Sequence, residues 1–528
     1  MAKKSLTCLA AIFFAFMLVL AGCGSNSSSN SSTGQSKSSG GGGGTSSGKS
    51  VPQTLTIAST SKVVGLSPIM TNDSVSTAVI SQVYETLFTR DPETMEIKPL
   101  LADSYETPDS TTWIIHLKKG IKFQDGTPFN AEAVKYTFDK IMDPKTAAPR
   151  ASLLEPIKSV TVKDDNTVVI KTKEPYGPML ADLCHSNASI VSPTADKKQD
   201  LMKKPVGTGP FELAEYVPGD HVSLKANPNY WGGAPKLQTI TFKVVPEVTT
   251  AISLMQTGKV QLIENPPAQQ MSRLKSMKNV KIIQKQGTPV YYLGFNMTKK
   301  PMNNLKFRQA VSYAINRDAF IKQQLKGLGV RSDSIIGPKV FGYDKSAEKA
   351  GYDYDQAKAK QIIDQNGWKG VKVNLLVANT PAYKQMATVV QEELKQVGID
   401  AQIQMMEWGT FLDVTSKGNF EMTFLGWTNS TGDGSELLYP NLDSDNIGSS
   451  NRMRYSDPQV DALIKKSRTT VDQQKRKDYL NQANILAVKS GVWIPMYHGI
   501  ITVAVDKSVK GLQVEPNGEY SLANVSRE

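Results

Sequence analysis

Cysteine and histidine are scarce in this 528-residue chain, which carries three of the first and four of the second. Cys8 and Cys23 stand near the N-terminus and Cys184 is alone in the rest of the chain. No disulfide can form within that remainder, and a lone thiol there reads as a small buried hydrophobe before it reads as a nucleophile. His116, His185, His221 and His498 have no His partner at i+4 and no H-E-x-x-H spacing, and neither a G-x-S-x-G turn nor a Cys pair occurs. Clustered imidazole, thiolate or carboxylate ligands for a free divalent ion are equally lacking. The inventory speaks against an enzyme and calls for no cofactor, although a metal already held in an organic chelate stays compatible with it. Dense Lys/Arg runs with interleaved aromatics are missing too. The formal net charge of +12 is diluted over the whole chain, which argues against nucleic-acid binding and points to a mild attraction for an anionic envelope.

The N-terminus is where the sequence says most. Lys3 and Lys4 precede the apolar run Leu9 to Leu20, too short for a full membrane span, and small Ala21 and Gly22 follow. This is the pattern of an export signal. Leu20-Ala21-Gly22-Cys23 resembles the bacterial lipobox, which implies removal of residues 1–22 and diacylation of Cys23 as the mature N-terminus. Two acyl chains, each contributing about 0.8 kcal/mol per buried CH2, would anchor the protein to the extracytoplasmic face of the cell membrane without a transmembrane helix. Residues 24–50 are almost wholly Gly, Ser, Asn and Thr, so 23–53 is expected to be a tether with a reach on the order of 30 Å. Its segment Gly43 to Ser50 satisfies G-x-x-x-x-G-K-[ST]. A phosphate-binding loop needs a preceding strand and a following helix, and here a Ser/Gly run precedes and Val51-Pro52 follows, so nucleotide binding is not expected.

The rest of the chain exceeds the usual size of one core and should divide into at least two lobes. Strand and helix signals mix throughout. Thr54 to Ala58 reads as a strand, and Ser76 to Phe88 as a helix with Val79, Ile80, Val83 and Leu87 on one stripe. Trp113, Ile115 and Leu117 alternate as a strand, Asp125-Gly126 marks a turn, and Asn130 caps a helix bearing Val134, Phe138 and Ile141. A hairpin joins Val160–Lys163 to Val168–Thr172, and Thr249–Gln256 is a helix leading into the strand Val260–Ile263. Phe307, Ala310, Val311, Ala314 and Ile315 stripe another helix, with a further one after Asn316. The clearest unit is βαβ: a strand through Val371 and Val377, a helix striped by Met386, Val390 and Leu394, and a parallel strand Ile399 to Met406. Helix Gln473–Lys489 then precedes the strand Val492–Tyr497. The class is α/β.

Four long stretches occur in order: WIIHLKKGIKFQDGTPFNAEAV from Trp113, VGTGPFELAEYVPGDHVSLKANPNYWGGAP from Val206, MQTGKVQLIE from Met255 and LKFRQAVSYAINRDAF from Leu305. Together they resemble the peptide and nickel class of bacterial extracytoplasmic solute-binding proteins, the receptors of ABC importers. The resemblance implies a two-lobed periplasmic-binding-protein-like fold in which a hinge closes the lobes over ligand. The larger, discontinuous lobe would take residues 54–286 plus 499–528 and the other 287–498, with hinges near Gln284–Val290 and Tyr497–Thr502. It further implies an ABC permease and ATPase complex as partner, a short peptide or glutathione-like molecule as ligand, and a monomer. A peptide-signal sensor without transport role and a carrier of a chelated metal such as nickel are the alternatives.

In this family the loop after a Gly-Trp pair lies in the cleft, here Gly426-Trp427-Thr428-Asn429-Ser430-Thr431-Gly432-Asp433. Dipeptide carriers place an Asp for the ligand ammonium where Ser430 stands, so the resemblance shifts toward receptors grouped with glutathione uptake. Asp433 becomes the expected anionic anchor, free to pair with ligand and dispensable for stability, with Trp427, Asn429, Ser430 and Thr431 as further contacts. A plain surface turn with a buried Trp is the competing reading. Arg150 follows Pro149 and fits a bidentate clamp on a carboxylate, or a solvated Arg. Trp408, at the end of a βαβ strand, and Tyr497, beside a proposed hinge, fit either cleft or core. Asp73 and Tyr291 complete the candidates.

Overall fold

The computed structural model describes residues 51–528. The export signal, Cys23 and its tether up to Ser50, including the phosphate-loop-like run, lie outside the described residues. Among the described residues no helix is long and apolar enough to cross a membrane.

Two long strands organise what is described. Val280–Phe295 and Trp493–Asp506 run antiparallel, paired from Val280 opposite Asp506 to Gln286 opposite Ile500 and again from Val290 opposite His498 to Gly294 opposite Trp493. The break between Gln286 and Val290 has a local cause. Pro289 has no N–H to donate. A β-carbon on Gly287 would sit 3.0 Å from the Gly499 carbonyl oxygen, and the Thr288 N–H leaves the ladder to donate to the Pro516 carbonyl at 2.8 Å. The interruption therefore bends the pair without orphaning the Thr288 amide.

Strands extend the sheet on either side of this pair. One flank adds Leu262–Glu264, Thr54–Ser59, Thr239–Val244, His221–Ala226 and Phe211–Val217 in that order, and the other adds Met422–Trp427, Val371–Ala378 and Ile399–Met406. The short Gly329–Val330 pairs with Trp493–Asp506 to bring the described strands of this sheet to eleven. Thr54–Ser59 is parallel to both its neighbours, and Val371–Ala378 is parallel to Ile399–Met406 through helix Pro381–Gln396, as the βαβ spacing predicts. A separate four-stranded sheet orders Ala102–Asp109, Thr112–Leu117, Thr167–Thr172 and Ile157–Asp164.

The buried side chains divide along the same line. Two apolar clusters draw their buried members from Leu55 to Val280 and from Ile501 to Val525; the other two draw theirs from Val290 to Tyr497. The mixed α/β body thus has two lobes, and both changes of lobe fall on the long strand pair.

Three elements depart from the sequence expectation. The helix predicted over Ser76–Phe88 is Ser74–Val83, and Phe88–Arg90 is a strand. Its end is imposed from outside: the Gly209 N–H donates to the Val83 carbonyl at 2.9 Å, and a β-carbon on Gly207 would lie 2.1 Å from that same oxygen. The glycines of the Val206 stretch are there to let this loop reach a helix end. The strand expected over Val492–Tyr497 continues to Asp506. Trp408 does not end a strand: that strand stops at Met406, and Trp408 opens helix Trp408–Ser416 behind the cap Glu407, whose carboxylate accepts from the Gly409 N–H at 2.8 Å.

Gly207→Ala must displace the Val83 backbone and is expected to destabilise the protein by about 2 kcal/mol or more. Thermal unfolding checks it; an unchanged midpoint would contradict the close approach.

Candidate functional site: a cavity between the lobes

A cavity of about 910 Å³ lies between the two groups of cores, walled by residues of both. That is the size range in which small-ligand sites occur. Of the residues singled out by sequence, Asp73, Arg150, Tyr291, Trp408, Trp427, Ser430 and Tyr497 line it, and Asn429, Thr431 and Asp433 do not.

The long strands deliver the aromatic floor. Tyr291 and Tyr497 are register partners, with rings stacked at 4.7 Å between centroids and 21° between planes. Burial pushes both phenols up, so they stay neutral. Trp427 ends the neighbouring strand opposite Val290, and Trp408, 45% exposed, stacks on Phe411 at 5.6 Å at its helix entrance. Trp408 and Tyr497 therefore face the cavity: the first is exposed, and the second is buried at its edge.

Arg150 is engaged across the cavity. Its Nη2 donates to Glu436 Oε1 at 2.9 Å, joining residues from the two lobes, and lies 3.4 Å from His185 Nε2. The other Glu436 oxygen accepts from the Thr431 N–H at 2.6 Å. Burial, then the Arg150 and Arg90 charges, push the His185 imidazole down to about 3, so at neutral pH it places no second cation beside Arg150. Asp73 caps helix Ser74–Val83 through Oδ1, which accepts from the Ser76 N–H at 2.8 Å. Its Oδ2 is buried with no hydrogen-bond partner, as are Arg150 Nε and Trp427 Nε1. Buried polar atoms are nearly always paired, so an acceptor and a donor left on one wall and a donor on the facing one suit a ligand with both kinds of group.

Asp433 corrects the expectation of a free anionic anchor. It is buried, caps helix Gly434–Leu442 by accepting from the Ser435 N–H at 2.9 Å, and receives Arg476 Nη2 at 3.0 and 2.8 Å on its two oxygens. Arg476 is itself buried. Asn429 and Thr431 serve the same turn from inside: Asn429 Nδ2 donates to the Asp433 carbonyl at 2.7 Å and Thr431 Oγ1 accepts from the Asp433 N–H at 3.2 Å. The loop is thus neither a plain surface turn nor a set of free contacts; of its residues Gly426, Trp427, Thr428 and Ser430 reach the cavity.

Sequence reasoning missed Glu436, His185 and Glu519 on the cavity wall. Asp433-Gly434-Ser435-Glu436 has the spacing of a helix capping box, which hides Glu436 as a local capping residue, although here its carboxylate turns to Thr431 and Arg150. His185 and Glu519 carry no local signal; they reach the cavity only through tertiary packing.

Asp433→Asn leaves the buried Arg476 without its charge partner and is expected to cost about 3 to 5 kcal/mol of stability. Burial works to raise the Asp433 carboxyl, but the Arg476 charge and the Ser435 and Arg476 hydrogen bonds outweigh it and hold it below its ordinary value. Its stabilising contribution is therefore complete above the unfolded-state carboxylate range and is lost as pH falls through the lower native value. Denaturant unfolding of parent and variant from neutral to acid pH checks both points: the gap should close on acidification, and no gap at neutral pH would contradict the pairing.

Comparison with known proteins agrees with this geometry. The family model for bacterial extracellular solute-binding proteins, family 5 Middle, matches residues 96–449. The dipeptide-binding protein of Escherichia coli K12 is 30% identical over 511 residues, covering 90% of this chain and 95% of that protein. The glutathione-binding protein GsiB of Shigella flexneri is 32% identical over 479 residues, covering 88% and 93%. Among solved structures, the periplasmic binding protein DppA of Helicobacter pylori in complex with peptide STSA superposes with a TM-score of 0.78 at 27% identity, over 90% of this chain and 98% of that one. With its two lobes, the cavity between them and these relatives along nearly its whole described length, the chain belongs to the bacterial extracellular solute-binding proteins of family 5.

Proposed function

We propose that this protein is the lipid-anchored receptor of an ABC importer, capturing a short peptide or glutathione-like ligand between its lobes for a membrane permease and its ATPase. The observation that carries the reading is the cavity walled by both lobes, with an aromatic floor and orphaned donors and acceptors. Peptides bring that mixture of amide donors, acceptors and apolar side chains. The relatives named above bear dipeptide and glutathione in their names, which favours this cargo over a chelated metal such as nickel. A sensor role without transport differs only in its partner, and uptake by a deletion strain separates the two.

Residues 54–286 with 499–528 form one lobe in this reading, and 287–498 the other, with the break at Gly287-Thr288-Pro289 beside Gly499 as the hinge. Ligand would enter an open form and be enclosed on closure, when Arg150 meets Glu436. The work done is differential affinity for the closed state. The monomer suffices for this, since both walls come from one chain.

Titration calorimetry of the purified protein with di-, tri- and tetrapeptides and reduced glutathione tests the cargo; no binding by any of them sinks it. Small-angle scattering from a verified ligand-free sample should show the radius of gyration falling at saturating peptide, and an unchanged radius contradicts hinge closure. For the anchor, Cys23→Ser is expected to release the protein to the medium or leave it unprocessed, since the thioether carries the acyl chains. Normal processing with full membrane retention would show that the anchor lies elsewhere.

A further inference from the structure

Beside the main cavity lies a smaller chamber of about 160 Å³, sharing Ser186, Ser430, Asn517 and Glu519 with it as common wall. That common wall sets it against the main cavity at the point where Ser430 stands. Its other carboxylate and guanidinium walls are Arg90, from strand Phe88–Arg90, Glu515, from the C-terminal loop, and Glu85, whose carboxylate is already taken by the Thr208 and Tyr230 hydroxyls and the Trp231 N–H. The loop is pinned: the Glu515 N–H donates to the Glu519 carbonyl at 2.8 Å, and Asn517 Nδ2 reaches the Ser430 carbonyl at 3.5 Å.

Arg90 is 8% exposed, and its Nη1 donates to the Met95 carbonyl at 3.1 Å, but Nε and Nη2 have no partner. It lines the chamber together with Glu515, Glu519 and Cys184. Burial pushes both glutamates up, and each also acts against the positive charge it lacks: Arg90 and Lys285 pull Glu515 down, while Glu515 and Glu436 push Glu519 further up against Arg90. With Glu515 pushed up to about 7 and Glu519 to about 8, burial favours their neutral forms in the empty chamber, and an arriving cation favours their ionisation.

We propose that this chamber is a subsite for a zwitterionic α-amino-acid head group, its ammonium taken between Glu515 and Glu519 and its carboxylate by the free N–H groups of Arg90. The proposal rests on the peptide-capture reading above and narrows it. In an ordinary peptide the terminal ammonium and carboxylate sit on different residues. In a γ-glutamyl peptide both sit on one carbon, with the rest of the chain leaving through the side chain. Such a ligand would put its head in the chamber and run its body past Ser430 over the Tyr291 and Trp427 wall. The acidic function that dipeptide carriers place where Ser430 stands is thereby displaced to the C-terminal loop, with an Arg added.

The test is titration calorimetry of the purified protein with reduced glutathione, its α-linked isomer Glu-Cys-Gly, N-acetylated glutathione and free L-glutamate. The parent should prefer glutathione over the α-linked isomer and over the acetylated form by at least about tenfold. Glu515→Gln and Arg90→Gln, which line the chamber but not the main cavity, should each bring the two isomers to within about threefold while leaving α-isomer affinity unchanged. The acetylated ligand needs no variant, so the proposal is tested even if Arg90→Gln fails to fold. Equal affinity of the parent for both isomers, or substitutions that weaken both alike, overturns the subsite and leaves peptide capture standing. If the parent binds no peptide at all, the capture reading falls and the γ-glutamyl subsite with it. L-glutamate binding as tightly as glutathione would support the head-group chamber while assigning it to a free amino acid.

Discussion

The antiparallel pairing of Val280–Phe295 with Trp493–Asp506 is the constraint on which the rest of the molecule hangs. Both strands run from one group of cores to the other, so every difference between the lobes in sequence order is reconciled along this ladder. The ladder is interrupted where Gly287-Thr288-Pro289 stands, and its register shifts again between Tyr291 and Tyr292. The Tyr291 and Tyr497 rings stack just beyond that interruption, on the floor of the cavity. A bend at the break would therefore move the floor with one lobe and the Asp73 wall with the other.

Charge is handled in two different ways around the cavity. The Asp433 and Arg476 pair is buried, with Arg476 Nη2 shared between both Asp433 oxygens and Ser435 Oγ and the other guanidinium nitrogens donating to the Ser467 carbonyl and Gln473, so its charges are satisfied by the protein itself. It holds the turn after Trp427 rigid and asks nothing of a ligand. Arg150, by contrast, spends one nitrogen on Glu436 and leaves Nε unpaired, and Asp73 leaves Oδ2 unpaired. A protein tolerates such orphans where a ligand will complete them. The contrast separates the residues that build the cavity wall from those left with unpaired polar atoms on it.

The aromatic floor and the polar wall suit different parts of one ligand. Tyr291, Tyr497 and Trp427 offer apolar faces of broad tolerance, whereas the orphaned donors and acceptors demand defined positions. A receptor with that division discriminates by head groups and tolerates variation in side chains.

Much of this was written locally. The βαβ unit through Val371 and Ile399, the Asn130 cap and the alternating strand at Trp113 form as their spacing says, since period and capping act over a few residues. The four motif stretches and the size of the chain pointed to two lobes and a cleft, and the cavity does collect Asp73, Arg150, Tyr291, Trp408, Trp427, Ser430 and Tyr497. What local pattern could not decide is which charges remain free. Asp433 meets Arg476 from forty-three positions away, the helix at Val83 stops because Gly207 and Gly209 arrive from a distant loop, and Glu519 reaches Ser430's side only when the C-terminal loop folds back. Periodicity and capping are short-range and legible in sequence. The pairing of a carboxylate depends on which long-range partner comes within a few ångströms, and only the tertiary fold sets that distance.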